Sequence, residues 1–122
     1  MLPCGIMDRK RLANLLLTAA LVFVFGWFGI DKLRNPLFWS TYLPLWMDGA
    51  FGVESDVWII LIGIVEMLFA LLLLLPVRRV RQGTLILILL HFSGIVWQAG
   101  WNDVGVRDIG LMASAFSLLV LV

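Results

Sequence analysis

Residues 57–98 read VWIILIGIVEMLFALLLLLPVRRVRQGTLILILLHFSGIVWQ, and this segment determines the architecture of the chain. It holds two long apolar runs that are joined by a short segment with one proline, Pro76, and three arginines. A run of about nineteen apolar residues, at roughly 1.5 Å rise per residue, matches the hydrocarbon thickness of a bilayer. The segment therefore predicts a transmembrane helical hairpin.

Each apolar run of this hairpin carries one ionisable side chain near its middle, Glu66 in the first run and His91 in the second. An ionisable group inside a membrane span costs several kcal/mol and usually faces the interior of a helix bundle. Glu66 precedes Pro76 by ten residues and His91 follows Gly83 by eight, so both lie roughly 12–15 Å from the turn. We expect Glu66 and His91 to lie at similar depth on antiparallel helices and to meet.

The whole-chain composition is that of a membrane protein. Of the 122 residues, 62% are hydrophobic and 14% are charged, against about 25% charged in a typical soluble domain. We predict an all-α fold: a four-helix transmembrane bundle that forms a single domain over residues 1–122. The predicted spans lie near residues 12–30, 57–75, 83–101 and 107–122.

The polar composition excludes several classes of protein. A single cysteine, Cys4, excludes an internal disulfide and any Cys-x-x-Cys redox or zinc site. One histidine and no thiolate cluster leave little to hold a transition metal, so we expect no metal site. No glycine-rich phosphate loop and no nucleic-acid-binding pattern occur in the sequence. The expected partners are the lipid bilayer and either a protein partner or a second copy of the chain.

The basic residues predict the orientation in the membrane. Residues 9–11 precede the first apolar run, and Arg78, Arg79 and Arg81 lie between the second and third runs. Two spans separate these clusters, so both lie on one side, which the positive-inside rule makes cytoplasmic. The sequence thus predicts a multi-pass protein of the plasma membrane with both termini in the cytoplasm.

Residues 37–56 form the longest connection and are rich in aromatic side chains, with Trp39, Tyr42 and Trp46. One interpretation places this segment along the membrane surface as an interfacial aromatic loop. The other is an ordinary loop that packs its aromatic rings over the mouth of the bundle. Asp56 is the predicted N-cap of the second span.

Small and polar residues recur at helical spacing on one face of each run, which is typical of helices that pack closely against one another in lipid. The predicted interior polar site contains Glu66, His91 and Gln98. The candidate charges at the bundle mouth, or with a structural role there, are Lys32, Asp103, Arg107 and Asp108. Asp103 and Arg107 are four residues apart, a spacing that allows them to pair on a helical turn. The favoured interpretation of Asp103, Arg107 and Asp108 is a charged helix end at the interface that holds the fourth helix in register, ahead of a role at the mouth of a cavity. On the first run this face consists of Asn14, Thr18, Gly29 and Lys32, and on the second of Gly63, Glu66 and Ala70. On the third run it consists of Thr84, His91, Gly94 and Gln98, and on the fourth of Asp103, Arg107, Gly110, Ala113, Ser114 and Ser117.

Both ends of the sequence leave alternatives open. Met7 is followed by Asp8-Arg9-Lys10-Arg11 and would itself be a normal start, so the true start is either Met1 or Met7. The fourth apolar run is about sixteen residues long, a few short of a full span. This helix is therefore either tilted very little or truncated at Val122.

Several short motifs occur in an order and spacing that together are fairly specific: Phe25–Leu33, Asn35-Pro36, Trp39, Tyr42–Pro44 and Trp46; Gly63-x-x-Glu66; and Asn102-Asp103 with Arg107–Leu111. In these residues the chain resembles the DoxX-like family of small four-helix membrane proteins. The resemblance implies that Glu66 faces the bundle interior and that Arg107 and Asp108 lie at the non-cytoplasmic end. The family takes its name from a subunit of a thiosulfate:quinone oxidoreductase, and other members are linked to membrane redox complexes.

The resemblance and the interior Glu66 and His91 together favour a subunit of a membrane-associated, quinone-linked redox complex. The quinone ring would lie between helices near Glu66, His91 and Trp97, with Gln98 as a further hydrogen-bonding group and the aromatic loop closing the cleft. The alternative is a non-enzymatic assembly, accessory or chaperone-like membrane module whose polar groups specify helix packing. A small transporter is a third, weaker hypothesis, because small multidrug transporters carry their acidic residue in the first helix.

Overall fold

The computed structural model describes residues 4–99 and 101–122, and this part of the chain is helical apart from short connections. Two 3-10 turns, Leu45–Met47 and Ala50–Gly52, interrupt the long loop, and no strand occurs in the described residues. The α-helices are α1 (Cys4–Arg34), α2 (Pro36–Ser40), α3 (Ser55–Leu74), α4 (Arg78–Ala99) and α5 (Asp103–Leu121).

Four of these helices, α1, α3, α4 and α5, contain segments long and apolar enough to cross a membrane. They form a closed four-helix arrangement in which α1 packs on α3 and α5, and α4 packs on the same two helices. The predictions of an all-α fold and of four helices long and apolar enough to span a membrane are confirmed. The cytoplasmic position of both termini, the plasma membrane as location and the membrane contacts of the loop stay predictions.

The fourth spanning helix begins earlier than the sequence predicts. Residues 103–106, which precede the span predicted near residues 107–122, form the first turn of α5. The cause is the Asn102 side chain, whose Oδ1 accepts a hydrogen bond from the Gly105 backbone N–H at 2.9 Å and so caps the helix. α4 likewise begins at Arg78 rather than near Gly83, so the connection after α3 is shorter than predicted.

The predicted N-cap of the second span is wrong. Asp56 lies inside the first turn of α3, which begins at Ser55. Asp48 caps this end instead, because its Oδ1 accepts from the Ser55 backbone N–H at 3.1 Å and from the Ser55 hydroxyl at 3.0 Å. The capping side chain lies seven residues upstream of Ser55, across the loop, whereas the sequence rule for N-caps considers only the residue directly before the helix.

The bundle has two polar ends that are separated by an apolar core. The "basic end" holds residues 9–11 and residues 78–81, and the "loop end" holds residues 36–54 and the start of α5. Between them lies a core of buried aliphatic residues and three phenylalanines, in which Phe25 stacks near Phe69 and Phe92 with ring centroids 6.1 and 5.4 Å away. The other buried members are Leu21, Ala70, Leu73, Leu85, Ile88, Ala115 and Leu118.

α1 and α3 cross at two glycines, Gly29 and Gly63, where the backbones touch. A Cβ atom on Gly29 would lie 2.9 Å from the Gly63 carbonyl oxygen, and one on Gly63 would lie 2.8 Å from the Gly29 oxygen. Small residues at such crossings allow membrane helices to approach closely. The crossing fixes the depth at which the polar side chains of the two helices meet.

Replacing Gly63 with leucine is expected to destabilise the bundle by about 1–3 kcal/mol or more, because the backbone of α1 blocks the new side chain. Gly26→Leu is the matched control, since a Cβ at Gly26 has no atom within 4 Å. Unfolding of the two purified variants, followed by circular dichroism, checks the difference. Equal stability of the two variants would contradict the close crossing.

Candidate functional site

A buried ion pair lies between α1 and α3, in the half of the bundle nearer the loop end. The Lys32 Nζ atom lies 3.0 Å from Glu66 Oε1 and 3.1 Å from Oε2, so the ammonium group is shared between both oxygens. The two side chains are only 7% and 3% exposed. Each charge is compensated by the other, which is the condition under which charges are tolerated in an apolar interior.

His91 of α4 joins this pair from the other side. Its Nε2 atom lies 3.9 Å from Glu66 Oε1, which confirms the prediction that Glu66 and His91 meet at similar depth. This distance is too long for a hydrogen bond. The imidazole instead packs against Phe69 and Phe92, with ring centroids 5.6 and 5.4 Å away.

Lys32, one of the charges predicted to lie at the mouth of the bundle or to have a structural role, is buried. It is part of the last turn of α1, and its side chain runs along α3 at the position where Gly63 has none: a Cβ on Gly63 would lie 3.0 Å from Lys32 Cβ. The glycine therefore opens the groove through which the lysine reaches Glu66. The ion pair therefore depends on the close crossing of α1 and α3 at Gly63.

Two aromatic rings lie under the cations of the site. Lys32 Nζ lies 4.3 Å from the centroid of Trp39, and the Arg107 guanidinium carbon lies 4.3 Å from the centroid of Phe28. Such contacts contribute about 0.5–2 kcal/mol each. Trp39 is itself held in place, because its Nε1–H donates to Asp31 Oδ2 at 2.7 Å. Trp39 is buried, whereas Trp46 is 65% exposed, and the two interpretations of the aromatic loop both stay predictions.

Arg107 pairs with its chain neighbour Asp108 rather than with Asp103. Its Nε and Nη2 atoms both donate to Asp108 Oδ1, at 3.0 and 2.8 Å. Asp103, which the helical spacing would also allow as a partner, is exposed in the first turn of α5, where a negative charge suits the helix dipole. Asp108 is completely buried and lies inside the bundle, not at a solvent-exposed mouth.

A cavity of about 300 Å³ opens beside these charges and extends under the loop. Three of its lining residues present a buried polar atom that has no hydrogen-bond partner in the described chain: His91 Nε2, Asp108 Oδ2 and Trp58 Nε1. Buried polar atoms are nearly always paired, so three orphans around one cavity indicate a place for a molecule the chain itself does not supply. Loop residues of the wall are Trp39, Tyr42, Leu43, Pro44, Trp46 and Met47, and helical ones include Ile59, Ile62, Gly94, Ile95 and Val104.

The charges around the cavity balance. Lys32 and Arg107 are matched by Glu66 and Asp108, so the formal charge of the lining is zero when His91 is neutral. A site of this kind favours a neutral ligand with an apolar body and a few polar atoms over an ion. Among the described residues, no group of three or more metal-ligating side chains occurs.

The structure brings together most of the predicted site residues. Glu66, His91 and Gln98 line the cavity, and so do Lys32, Arg107 and Asp108, although Gln98 is exposed. Trp97 does not line the cavity and is 85% exposed, so its predicted place beside the ligand is wrong.

One residue of the site, Trp58, gave no signal in the sequence. It lies one turn after the start of α3, among aliphatic residues, and looks like an interfacial anchor. Its indole N–H is nevertheless buried and unpaired at the cavity. A tryptophan near the end of a span looks the same in the sequence whether it anchors the helix at the membrane interface or lines a cavity. Only the tertiary structure distinguishes these two roles.

The fold and the cavity define the class: a small, helical, multi-pass membrane protein with a charged, ligand-sized cavity inside its bundle. No known family model, curated protein or solved structure matches the chain.

Proposed function

We propose that the cavity binds the ring of a quinone and that the protein is a subunit of a quinone-linked membrane redox complex. The observation that carries the proposal is the set of three unpaired polar atoms, on Trp58, His91 and Asp108, around an otherwise apolar cavity of about 300 Å³. Cavities for small molecules are mostly apolar and carry a few polar atoms that orient the ligand. A quinone has this chemistry, with a flat apolar ring and two carbonyl oxygens.

The lining residues fit such a ring in size, charge and hydrogen bonding. The volume lies at the lower end of the range for ligand sites, about 300–1,000 Å³, which suits a single ring with its tail outside. The lining is formally neutral, as is a quinone. The Trp58 indole N–H is a donor only, so it needs an acceptor such as a carbonyl oxygen, and His91 Nε2 can donate or accept. Asp108 Oδ2 is an acceptor, so it would pair with an O–H of the reduced quinol and not with a quinone carbonyl.

A bound quinone would supply electron acceptance coupled to proton uptake, and the chain would hold and move the protons. His91 is the residue placed for this role, because its Nε2 has no hydrogen-bond partner and lies 3.9 Å from the Glu66 carboxylate. Glu66 is held in place by its ion pair with Lys32, so its carboxylate stays fixed beside the imidazole of His91.

The family resemblance adds support of a different kind. The motifs around Phe25–Leu33, Glu66 and Arg107–Leu111 resemble those of the DoxX-like family, whose name comes from a quinone oxidoreductase subunit. In this proposal the electron donor belongs to a protein partner in the same membrane.

Filling the cavity tests the proposal. Gly94 is an exposed part of the cavity wall, and a Cβ added there meets no atom within 4 Å, so Gly94→Leu adds side-chain volume at the wall where there is open space. We expect binding of a short-tailed benzoquinone, measured by quenching of tryptophan fluorescence in lipid nanodiscs, to weaken about tenfold or more. Gly83→Leu on the same helix has equally open surroundings, lies outside the cavity and is the matched control. Unchanged binding in Gly94→Leu, or no saturable binding in the wild type, would reject the quinone site.

An accessory or assembly module is the second candidate, and the crossing of α1 and α3 favours it. The Lys32–Glu66 pair is satisfied within the chain and is coupled to the contact of Gly29 with Gly63, as expected if polar groups specify packing. Under this function, Gly94→Leu leaves complex assembly and activity unchanged, while Gly63→Leu disrupts assembly.

A further inference from the structure

A second polar cluster lies at the basic end, far from the cavity, where Arg81 of α4 reaches across to α1. Its Nη2 atom donates to Asn14 Oδ1 at 3.0 Å and to the Thr18 hydroxyl oxygen. The Thr18 hydroxyl in turn donates to Asn14 Oδ1 at 3.3 Å, so the three side chains form a small network. The network fixes the position of the guanidinium group between the two helices.

No acidic side chain that the structure describes compensates the charge of Arg81. Lys32 and Arg107 each contact a carboxylate, whereas Arg81 has no acidic partner among the side chains that the structure describes. Its Nε atom is buried and has no hydrogen-bond partner. A partly buried cation without a counter-ion is costly, and the unpaired N–H adds to that cost. An anion with several acceptor oxygens would supply both the missing counter-ion and the missing hydrogen-bond acceptor for Nε–H.

Each of the two helices carries a further basic residue one turn before its contact in this network. α1 and α4 both begin at the basic end and touch through Asn14 and Arg81, so residues one turn earlier on each helix lie on the same side. These residues are Arg11 and Arg78, and both are exposed. The acidic residue that the sequence places near this end is Asp8, against six basic residues in segments 9–11 and 78–81.

We propose that Arg81, with Arg11 and Arg78, forms a binding site for a phosphate group, supplied by the headgroup of an anionic lipid or by free phosphate. The planar guanidinium group donates parallel hydrogen bonds that match the geometry of phosphate oxygens. Its location at the end of two spanning helices is the depth at which lipid phosphates lie, at the edge of the hydrocarbon layer. This site is separate from the cavity and independent of the proposed quinone function.

Arg81→Gln and Arg79→Gln give a matched test, because both remove one positive charge from the same end. Arg79 is exposed and makes no contact of the kind that holds Arg81. We would measure retention of phosphatidylglycerol by the full chain, purified from mixed nanodiscs, with native mass spectrometry. The site predicts about tenfold weaker retention for Arg81→Gln and less than about threefold for Arg79→Gln. Equal losses in the two variants would show diffuse surface charge and overturn the proposal.

A second arm separates the two sources of phosphate. In nanodiscs of phosphatidylcholine alone, inorganic phosphate at millimolar concentration raises the thermal midpoint of the wild type, but not of Arg81→Gln, if free phosphate is the occupant. If inorganic phosphate has no effect, but phosphatidylglycerol added to the nanodiscs raises the thermal midpoint of the wild type and not of Arg81→Gln, the lipid headgroup is the occupant. No Arg81-dependent rise with either probe would overturn the site. Should Arg81→Gln fail to insert, Arg81→Lys keeps the charge, lacks the Nε–H donor and is expected to bind several-fold more weakly.

Discussion

Replacing Lys32 with methionine is expected to destabilise the folded chain by about 3–5 kcal/mol, the cost of removing one partner of a buried ion pair. Lys32 is 6% exposed and its ammonium group contacts both oxygens of Glu66, whose side chain is equally inaccessible. Methionine keeps most of the side-chain volume in the groove beside Gly63, so lost packing contributes little. The expected loss comes from a carboxylate that remains in an apolar interior without its counter-ion. Unfolding in detergent with increasing denaturant measures it.

The double variant Lys32→Met, Glu66→Met separates this cause from others. If the uncompensated charge is responsible, the second substitution restores stability to within about 1 kcal/mol of wild type or raises it above, because neither charge is then buried. Arg34→Met, two residues further along α1 at an exposed position, is the control for loss of a cation and is expected to change stability by less than about 0.5 kcal/mol. An additive double variant would mean that the pair does not act as a unit.

The same pair changes how Glu66 can be tested. From the sequence, Glu66→Gln is a conservative change that removes a titratable proton and leaves the fold nearly intact. The structure leads to a different expectation, since the Lys32 ammonium group lies 3.0 Å from the Glu66 carboxylate and depends on its charge. A glutamine there leaves a buried ammonium group with a neutral partner, so reduced activity in Glu66→Gln would report on folding and on chemistry at once.

Much of the architecture could be predicted from the sequence because a membrane span is recognised from the hydropathy averaged over a long run of residues. Apolar runs of nearly twenty residues give the number of helices, and the depth of an ionisable residue follows from its distance to the turn. The meeting of Glu66 and His91 was predictable on this basis, and the structure places them 3.9 Å apart. The inward position of Gly29 and Gly63 followed from helical periodicity in the same way.

The remaining features depend on which helices touch, and the sequence does not contain this information locally. Lys32 resembles the charged end of a span, and only the crossing at Gly63 lets it reach Glu66. The pairing of Arg107 with Asp108 goes against the rule that neighbours on a helix point apart, and it forms because the long arginine side chain folds back. Asp48 caps α3 from across the loop. Each of these contacts is a property of tertiary packing.

His91→Phe is expected to lower quinone-dependent electron transfer by about a hundredfold, the lower range for loss of a general acid or base, while leaving the fold intact. His91 Nε2 has no hydrogen-bond partner, so the substitution breaks no hydrogen bond at that atom. A phenylalanine ring keeps the contacts with Phe69 and Phe92, whose centroids lie 5.6 and 5.4 Å from the imidazole. Glu66 retains Lys32 as its partner. The substitution thus removes a proton-carrying group and preserves the packing around it, which no change at Glu66 achieves.

The measurement is electron transfer to a short-tailed quinone by membranes that contain the assembled complex, together with the thermal midpoint of each purified variant. Leu90→Phe introduces the same ring one residue earlier, on a side of α4 that is 66% exposed, and is expected to retain full activity. A large loss in His91→Phe with an unchanged midpoint supports proton transfer through the imidazole. Full activity in both variants would reject that role and favour the accessory module, because a residue that only fills space between Phe69 and Phe92 is replaced by phenylalanine without consequence.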